Sequence, residues 1–285
     1  MIGELYGIIQ VYDASTGNLT KSIDHAHSRA VTNLRLLPNG LVASASDDRT
    51  VKIWDSLNDW HLVQIYTGHK SWVRGLEYIS NDKMASGGAD NTIKLWLIST
   101  GLTIFDIYVG SFVYALQLLP SDLLASGDSS GNIKFWNLTN GYIIKTLNGH
   151  TDIINDLTLI NYDTILASSS DDKTIRLWDS QLGSFIRSIK GYKSGVRGLK
   201  AISSNLLAGG SDQTTIKIWD IQTGKCSNTL KGHNSTIYWA VDILNVSILV
   251  SGSRDQTIKW WNISTGQLVQ TIYTNGFSIF SLIVI

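Results

Sequence analysis

His27, His69, His150 and His233 are each followed, at comparable offsets, by a Ser, an Asp and a Trp. Ser, His and Asp together make the constellation of nucleophilic acyl transfer, where a carboxylate orients an imidazole that deprotonates a hydroxyl. A hydrolase needs one such set. Here the set recurs four times with the same Trp at fixed positions, and no Gly-x-Ser-x-Gly nucleophile elbow is expected. The recurrence therefore reads as framework. The paired acids Asp47-Asp48 and Asp171-Asp172 invite a general acid/base reading, but the second member of each pair belongs to the recurring sets. His25 and His61 remain, too sparse and isolated for a metal site. The Gly87-Gly88 and Gly209-Gly210 pairs lie inside strand-like runs, not in a phosphate-binding loop. No catalytic residue, metal or cofactor is expected.

The elements that position these residues follow from a repeat. Tyr12, Trp54, Trp96, Trp136, Trp178, Trp219 and Trp261 are 42, 42, 40, 42, 41 and 42 residues apart, and a period of that length marks a repeat architecture. Within 149–190, apolar alternation predicts strands near Ile153–Leu159, Ile165–Ser169, Thr174–Trp178 and Ser184–Ile189, separated by turn residues. No stretch has helical periodicity. One four-stranded sheet of this size cannot bury both faces, whereas similar sheets packed face to face around an axis can. The predicted fold is all-β, a seven-bladed β-propeller of four-stranded antiparallel blades. Small residues such as Ala43-Ser44-Ala45 and Ala85-Ser86-Gly87-Gly88 suit close sheet-to-sheet contact. The last unit stops after one strand, Phe277–Ile285, while the first supplies the other three, near Met1–Leu5, Ile8–Asp13 and Leu19–Ile23. Residues 1–24 plus 276–285 should thus form a closing blade whose hydrogen bonds leave no inner edge unpaired. Residues 1–285 would make a single domain.

Composition narrows the partners. Lys plus Arg and Asp plus Glu number 23 each, so the formal charge is zero. A duplex or anionic-membrane binder needs a cationic surplus, and neither nucleic acid nor membrane is expected as a partner. The N-terminus has neither a basic n-region nor an apolar h-region. Cys226 is the only cysteine, which excludes an internal disulfide and suits a reducing compartment. A cytoplasmic location is expected, with a nuclear one left open.

Gly-His pairs open units at Gly68-His69, Gly149-His150 and Gly232-His233, with Ala26-His27 a variant, and Trp-Asp closes them at Trp54-Asp55, Trp178-Asp179 and Trp219-Asp220. In these features the chain resembles the WD-repeat β-propeller family over essentially its whole length. The resemblance implies a structural hydrogen-bond tetrad in four units. Its members are His27, Ser44, Asp48 and Trp54; His69, Ser86, Asp90 and Trp96; His150, Ser168, Asp172 and Trp178; and His233, Ser251, Asp255 and Trp261. Three units depart. One has Ser111 and Ser130 in place of the His and Asp, one has Tyr192 and an irregular Asp212-Gln213-Thr214-Thr215, and the closing unit has Asn275, Tyr6 and Tyr12. Those blades should be held mostly by packing.

The resemblance also implies a docking face around the channel, on the side of the second-to-third strand turns. Carried over by position, its lining includes Trp72, Arg74, Phe112, Tyr114, Asn155, Arg197, Tyr238 and Phe280, with turn positions Leu5, Asp47, Asp171, Asp212 and Arg254. Aromatics and Arg are the residues enriched at binding hot spots. The expected function is a non-catalytic protein–protein interaction scaffold that docks protein or peptide segments. Arg74, Arg197 and Arg254 would pair with acidic groups, and the chain would act as a monomer or a subunit of a larger complex. The alternatives are a regulatory or architectural unit of a larger multidomain protein, and a propeller enzyme using channel-mouth carboxylates.

Overall fold

Period-two alternation and turn residues every few positions make short strands the main regular element. The computed structural model describes residues 1–4, 6–80, 82–274 and 276–285, and arranges them as seven four-stranded antiparallel sheets. The first complete blade shows the pattern: Val31–Leu36, Leu41–Ser46, Val51–Asp55 and His61–Tyr66, from the channel outward. Further blades occupy 73–108, 113–147, 154–190, 196–231 and 241–273. These are numbered blades 1 to 6. The seventh blade pairs Ile279–Leu282 with Ile2–Glu4, then Ile9–Tyr12 and Leu19–Ile23. Ile2 lies opposite Leu282 and Gly3 opposite Ser281, so strands from the two chain ends close the ring as expected. Leu5 and Asn275 lie outside the described residues.

Seven apolar cores sit between neighbouring blades, not inside them. Between blades 1 and 2, for example, Ala43, Val51 and Ile53 meet Val73, Leu76, Met84 and Trp96. Burying each such aliphatic side chain contributes roughly 1.5–3 kcal/mol. The outermost strands face water, and Leu62, Val63, Ile143 and Ile144 are exposed. Close approach explains the small residues of the second strands. A Cβ on Gly87 would lie 2.4 Å from Val113 Cγ1 of the next blade, and one on Gly127 would lie 2.5 Å from Ile154 Cγ2.

One irregularity is repeated. In the inner strands the register slips between Val31 and Asn33, Val73 and Gly75, Val113 and Ala115, and Ile154 and Asp156. Such a bulge turns a side chain out of the sheet's alternation. The bulged residues are Thr32, Arg74, Tyr114 and Asn155, and they converge on the channel mouth.

Candidate functional site

The four His-Ser-Asp-Trp sets come together within their blades. In blade 1, His27 Nδ1 lies 2.9 Å from Asp48 Oδ2 and His27 Nε2 lies 2.7 Å from Ser44 Oγ. A carboxylate only accepts, so Nδ1 carries the proton, Nε2 accepts from the serine hydroxyl, and Ser44 Oγ accepts the Trp54 indole N–H at 2.8 Å. His150, Ser168, Asp172 and Trp178 repeat this at 2.7, 2.7 and 2.9 Å. His233, Ser251, Asp255 and Trp261 do so at 2.8 Å throughout. The geometry is that of a catalytic triad, but the four Ser are fully buried, three of them under an indole. No substrate carbonyl can reach these hydroxyls.

Two features of the sets differ from the sequence reading. Trp96 stacks on Tyr66 at 4.7 Å, its buried indole N–H has no partner among the described residues, and the second set is therefore a triad of His69, Ser86 and Asp90. A fifth member, the Thr two residues after each Asp, was not foreseen. Thr50, Thr92, Thr174 and Thr257 donate to their Asp carboxylates at 2.6, 2.8, 2.6 and 2.6 Å. The Asp-x-Thr spacing, constant in those four turns, was the available signal. Burial alone would raise these carboxylates, but the imidazole, hydroxyl and amide donors outweigh it and hold all four well below the usual range. His27 is lowered as well, but because burial disfavours its cation.

The departing blades have their own solutions. In blade 5, Tyr192 OH accepts the Trp219 indole N–H at 3.0 Å and donates to Gly209 O at 2.9 Å, so one hydroxyl replaces both His and Ser. In blade 3 the acid is not replaced by Ser130. Asp128, fully buried, accepts the Ser130 and Asn132 amides at 2.9 and 3.0 Å and lies 3.3 Å from Lys134 Nζ. Residues Gly127-Asp128-Ser129-Ser130-Gly131 do spell Gly-x-Ser-x-Gly, but they join two strands, not a strand to a helix. In the closing blade Tyr12 donates to Gln10 Oε1 at 2.6 Å.

At the channel mouth four aromatic residues and Arg74 form one row. Phe280 stacks on Tyr238 at 4.6 Å, Tyr238 on Trp239 at 5.7 Å, and the Arg74 guanidinium lies 5.5 Å from the Trp239 ring and 5.6 Å from Trp72. Trp239 was missed. Its signal was a spacing. Val31 to Leu34, Val73 to Leu76, Val113 to Leu116, Ile154 to Leu157 and Val196 to Leu199 are three apart, whereas Ile237 to Val241 is four. The register confirms the extra residue, since Val241 faces Ser251 where Leu34 faces Ser44. The larger bulge releases Trp239 across the channel, where its indole N–H donates to Asn155 O at 2.9 Å.

Arg74 and Arg197 do not stand free, contrary to the expectation that they pair with a partner. Arg74 Nη2 lies 3.0 Å from Asp47 Oδ1. Arg197 binds Asp212 through Nε and Nη2 at 3.0 and 3.1 Å, and its Nη1 lies 3.1 Å from Asp171 and 3.0 Å from Asn155 Oδ1. Burial pushes Asp47 and Asp171 above the usual carboxylate range against the pull of these cations. Trp72 and Phe112 are 44% and 43% exposed, Tyr114 and Phe280 are half-buried, and Arg254 is exposed. The mouth thus combines internally paired charges with aromatic edges left over.

Beneath it a polar cavity of about 120 Å³ is lined by Arg35, Gln117, Asp156, Lys200 and Asp242. Asp156 accepts the amides of Leu157 and, from the next blade, Leu199, both at 2.8 Å. Burial pushes its carboxyl up to about 6 despite those bonds. A raised acid is disfavoured in the fold once ionised, so the cost is present at neutral pH and relieved as pH falls from about 6 towards the ordinary value near 4. We expect Asp156→Asn to remove that relief. The free-energy difference between variant and wild type should shift by about 2 kcal/mol in the variant's favour between pH 4 and pH 7.5. Urea denaturation across that range checks this, and a pH-independent difference would contradict it.

Among the described residues no helix is long and apolar enough to cross a membrane, and no three His, Cys, Asp or Glu side chains gather to hold a metal ion.

The comparisons fit this geometry. The family described as WD domain, G-beta repeat, matches residues 17–55, 60–96, 141–179, 183–220 and 224–262. WD repeat and SOCS box-containing protein 1 of Homo sapiens is 32% identical over 68 residues, covering 23% of this chain and 16% of that protein. Nuclear distribution protein PAC1 of Arthroderma otae is 26% identical over 174 residues, covering 60% of this chain and 31% of its own. The chain thus spans less than a third of the length of these relatives. A crystal structure of the computationally designed Ika8 protein superposes with a TM-score of 0.77 at 34% identity, covering 98% of this chain and 85% of that one. Five matched repeats on a ring of seven blades leave one conclusion: the chain belongs to the WD-repeat family.

Proposed function

We propose that the protein is a non-catalytic interaction scaffold that docks protein or peptide segments on the face around its channel mouth. The observation that carries this reading is the fixed aromatic row ending in exposed Trp72, with exposed Phe112 on the adjacent blade. A partner meeting that face gains apolar burial without having to order it, which lowers the entropy cost of association. Catalysis is not supported, because the four Ser hydroxyls are sealed and Asp47 and Asp171 are held in ion pairs. The short span relative to its relatives favours a second, compatible reading, in which this propeller is the docking unit of a larger protein.

The test is affinity capture with the wild type and with Trp72→Ala/Phe112→Ala. The double variant should lose most captured partners at unchanged melting temperature, with affinity reduced by about 2 kcal/mol or more. An identical partner set on a folded variant would remove this face from consideration.

A further inference from the structure

The neutral chain is sorted by charge between its two ends. Each second-to-third strand turn hydrogen-bonds to the segment leading into the inner strand. Asp47 N donates to Ala30 O, Asp171 N to Ile153 O and Arg254 N to Thr236 O, so both segments lie at the channel-mouth end. The acids of that end are largely consumed. Asp47, Asp171 and Asp212 are held by Arg74 and Arg197, and Asp48, Asp90, Asp172 and Asp255 are sealed against His with only 6–7% of the side chain exposed. The cations are not. Arg29, Arg49, Lys70, Lys173, Lys193 and Arg254 are exposed on the same turns and segments, and among the described residues none is in an ion pair. Asp24 and Asp152 are the exposed acids nearby.

The far end leans the other way, its exposed Lys83 and Lys225 outnumbered by exposed acids. There the first hairpin bonds to the third-to-fourth strand turn, as from Ile98 N to Asp82 O and Leu138 N to Asp122 O. Asp82, Asp122 and Asp163 are exposed at that end without an ion pair among the described residues.

We infer that the channel-mouth face selects an acidic peptide segment, several Asp or Glu side chains accompanying an aromatic or large aliphatic one. This rests on the docking reading above and names its partner's chemistry. The six free cations supply the pairing, in place of the internally bound Arg74 and Arg197, while Trp72 and Phe112 take the apolar side chain. Surface cations of this kind steer and orient a partner more than they hold it. A nucleic acid fits less well. Its phosphates need a continuous cationic track, whereas these cations are spread over five blades and blade 3 offers Phe112 instead.

The test is fluorescence anisotropy on the whole chain, with a labelled peptide alternating Glu with Leu and Trp, and the same peptide with Lys for Glu. The acidic peptide should bind at low salt, weaken as salt rises, and lose at least about tenfold in affinity to Arg29→Glu/Lys70→Glu/Arg254→Glu. Lys83→Glu/Lys225→Glu, at the far end, should bind as the wild type does. The Lys peptide should not bind. No binding of the acidic peptide at low salt, or binding indifferent to the triple reversal, overturns the inference. So does tighter binding of a single-stranded oligonucleotide of equal charge through the same cations. Should captured partners depend on Trp72 and Phe112 but not on the three cations, docking stands and the acidic partner falls.

Discussion

Replacing Asp172 by Ala should lower stability by about 3 kcal/mol, because several donors lose their acceptor at once and the imidazole loses its anchor. The Asp172 carboxylate takes the Thr174 hydroxyl at 2.6 Å, the Thr174 amide at 2.9 Å and the Thr151 amide at 3.2 Å, and lies 2.7 Å from His150 Nδ1. His150 Nδ1–H then has no carboxylate to fix its tautomer, and the Ser168 and Trp178 bonds downstream lose their partner geometry. The melting temperature should fall by roughly 5–10 °C, with no partner lost selectively. Thermal denaturation of wild type and variant decides it. A melting temperature unchanged within error, or loss of one partner at full stability, would show that the set is functional and not framework.

Trp239→Ala should have the second largest effect, about 3 kcal/mol, with Trp239→Phe near 1 kcal/mol. The indole serves three contacts from one bulge: the stack on Tyr238, the face offered to Arg74 and the N–H bond to Asn155 O across the channel. Phe keeps the first two and loses the third, so the pair of variants separates packing from the trans-channel bond. Urea denaturation measures both. Equal losses in the two variants would mean that the hydrogen bond carries the effect, and a neutral Ala variant would mean that the row does not depend on Trp239. Loss of the indole should also loosen Arg74 and Tyr238, and through them the platform on which the proposed docking depends.

Much of the architecture was readable in advance because it is periodic. Seven anchors at nearly equal spacing define seven blades, and the phase at which the chain ends fall defines which strand closes the ring. The His-Ser-Asp-Trp sets were readable for the same reason, since each is assembled within one blade by a fixed register. Trp96 shows the limit. Its neighbours match the pattern, but Tyr66 of the adjacent blade stacks flat against it at 4.7 Å, and the indole N–H is left without a partner among the described residues. Asp128 shows another, because a residue two positions early is ignored by alignment yet reaches the Ser130 and Asn132 amides and Lys134.

By itself, then, the sequence determined what repeats: the number of blades, their strand order, the small residues where sheets approach, and the buried hydrogen-bond sets. Only the tertiary structure decided which groups at the channel mouth are already taken. Arg74 and Arg197 are indistinguishable from Arg254 as residue types at face positions. They differ because Asp47, Asp171 and Asp212 from turns of the same ring arrive within about 3 Å of the first two and leave the third exposed. Trp239 meets Asn155 across 84 residues of chain. Such contacts depend on the summed geometry of a closed ring, in which blades far apart in sequence face each other over the channel. Spacing within a repeat carries no record of that distance.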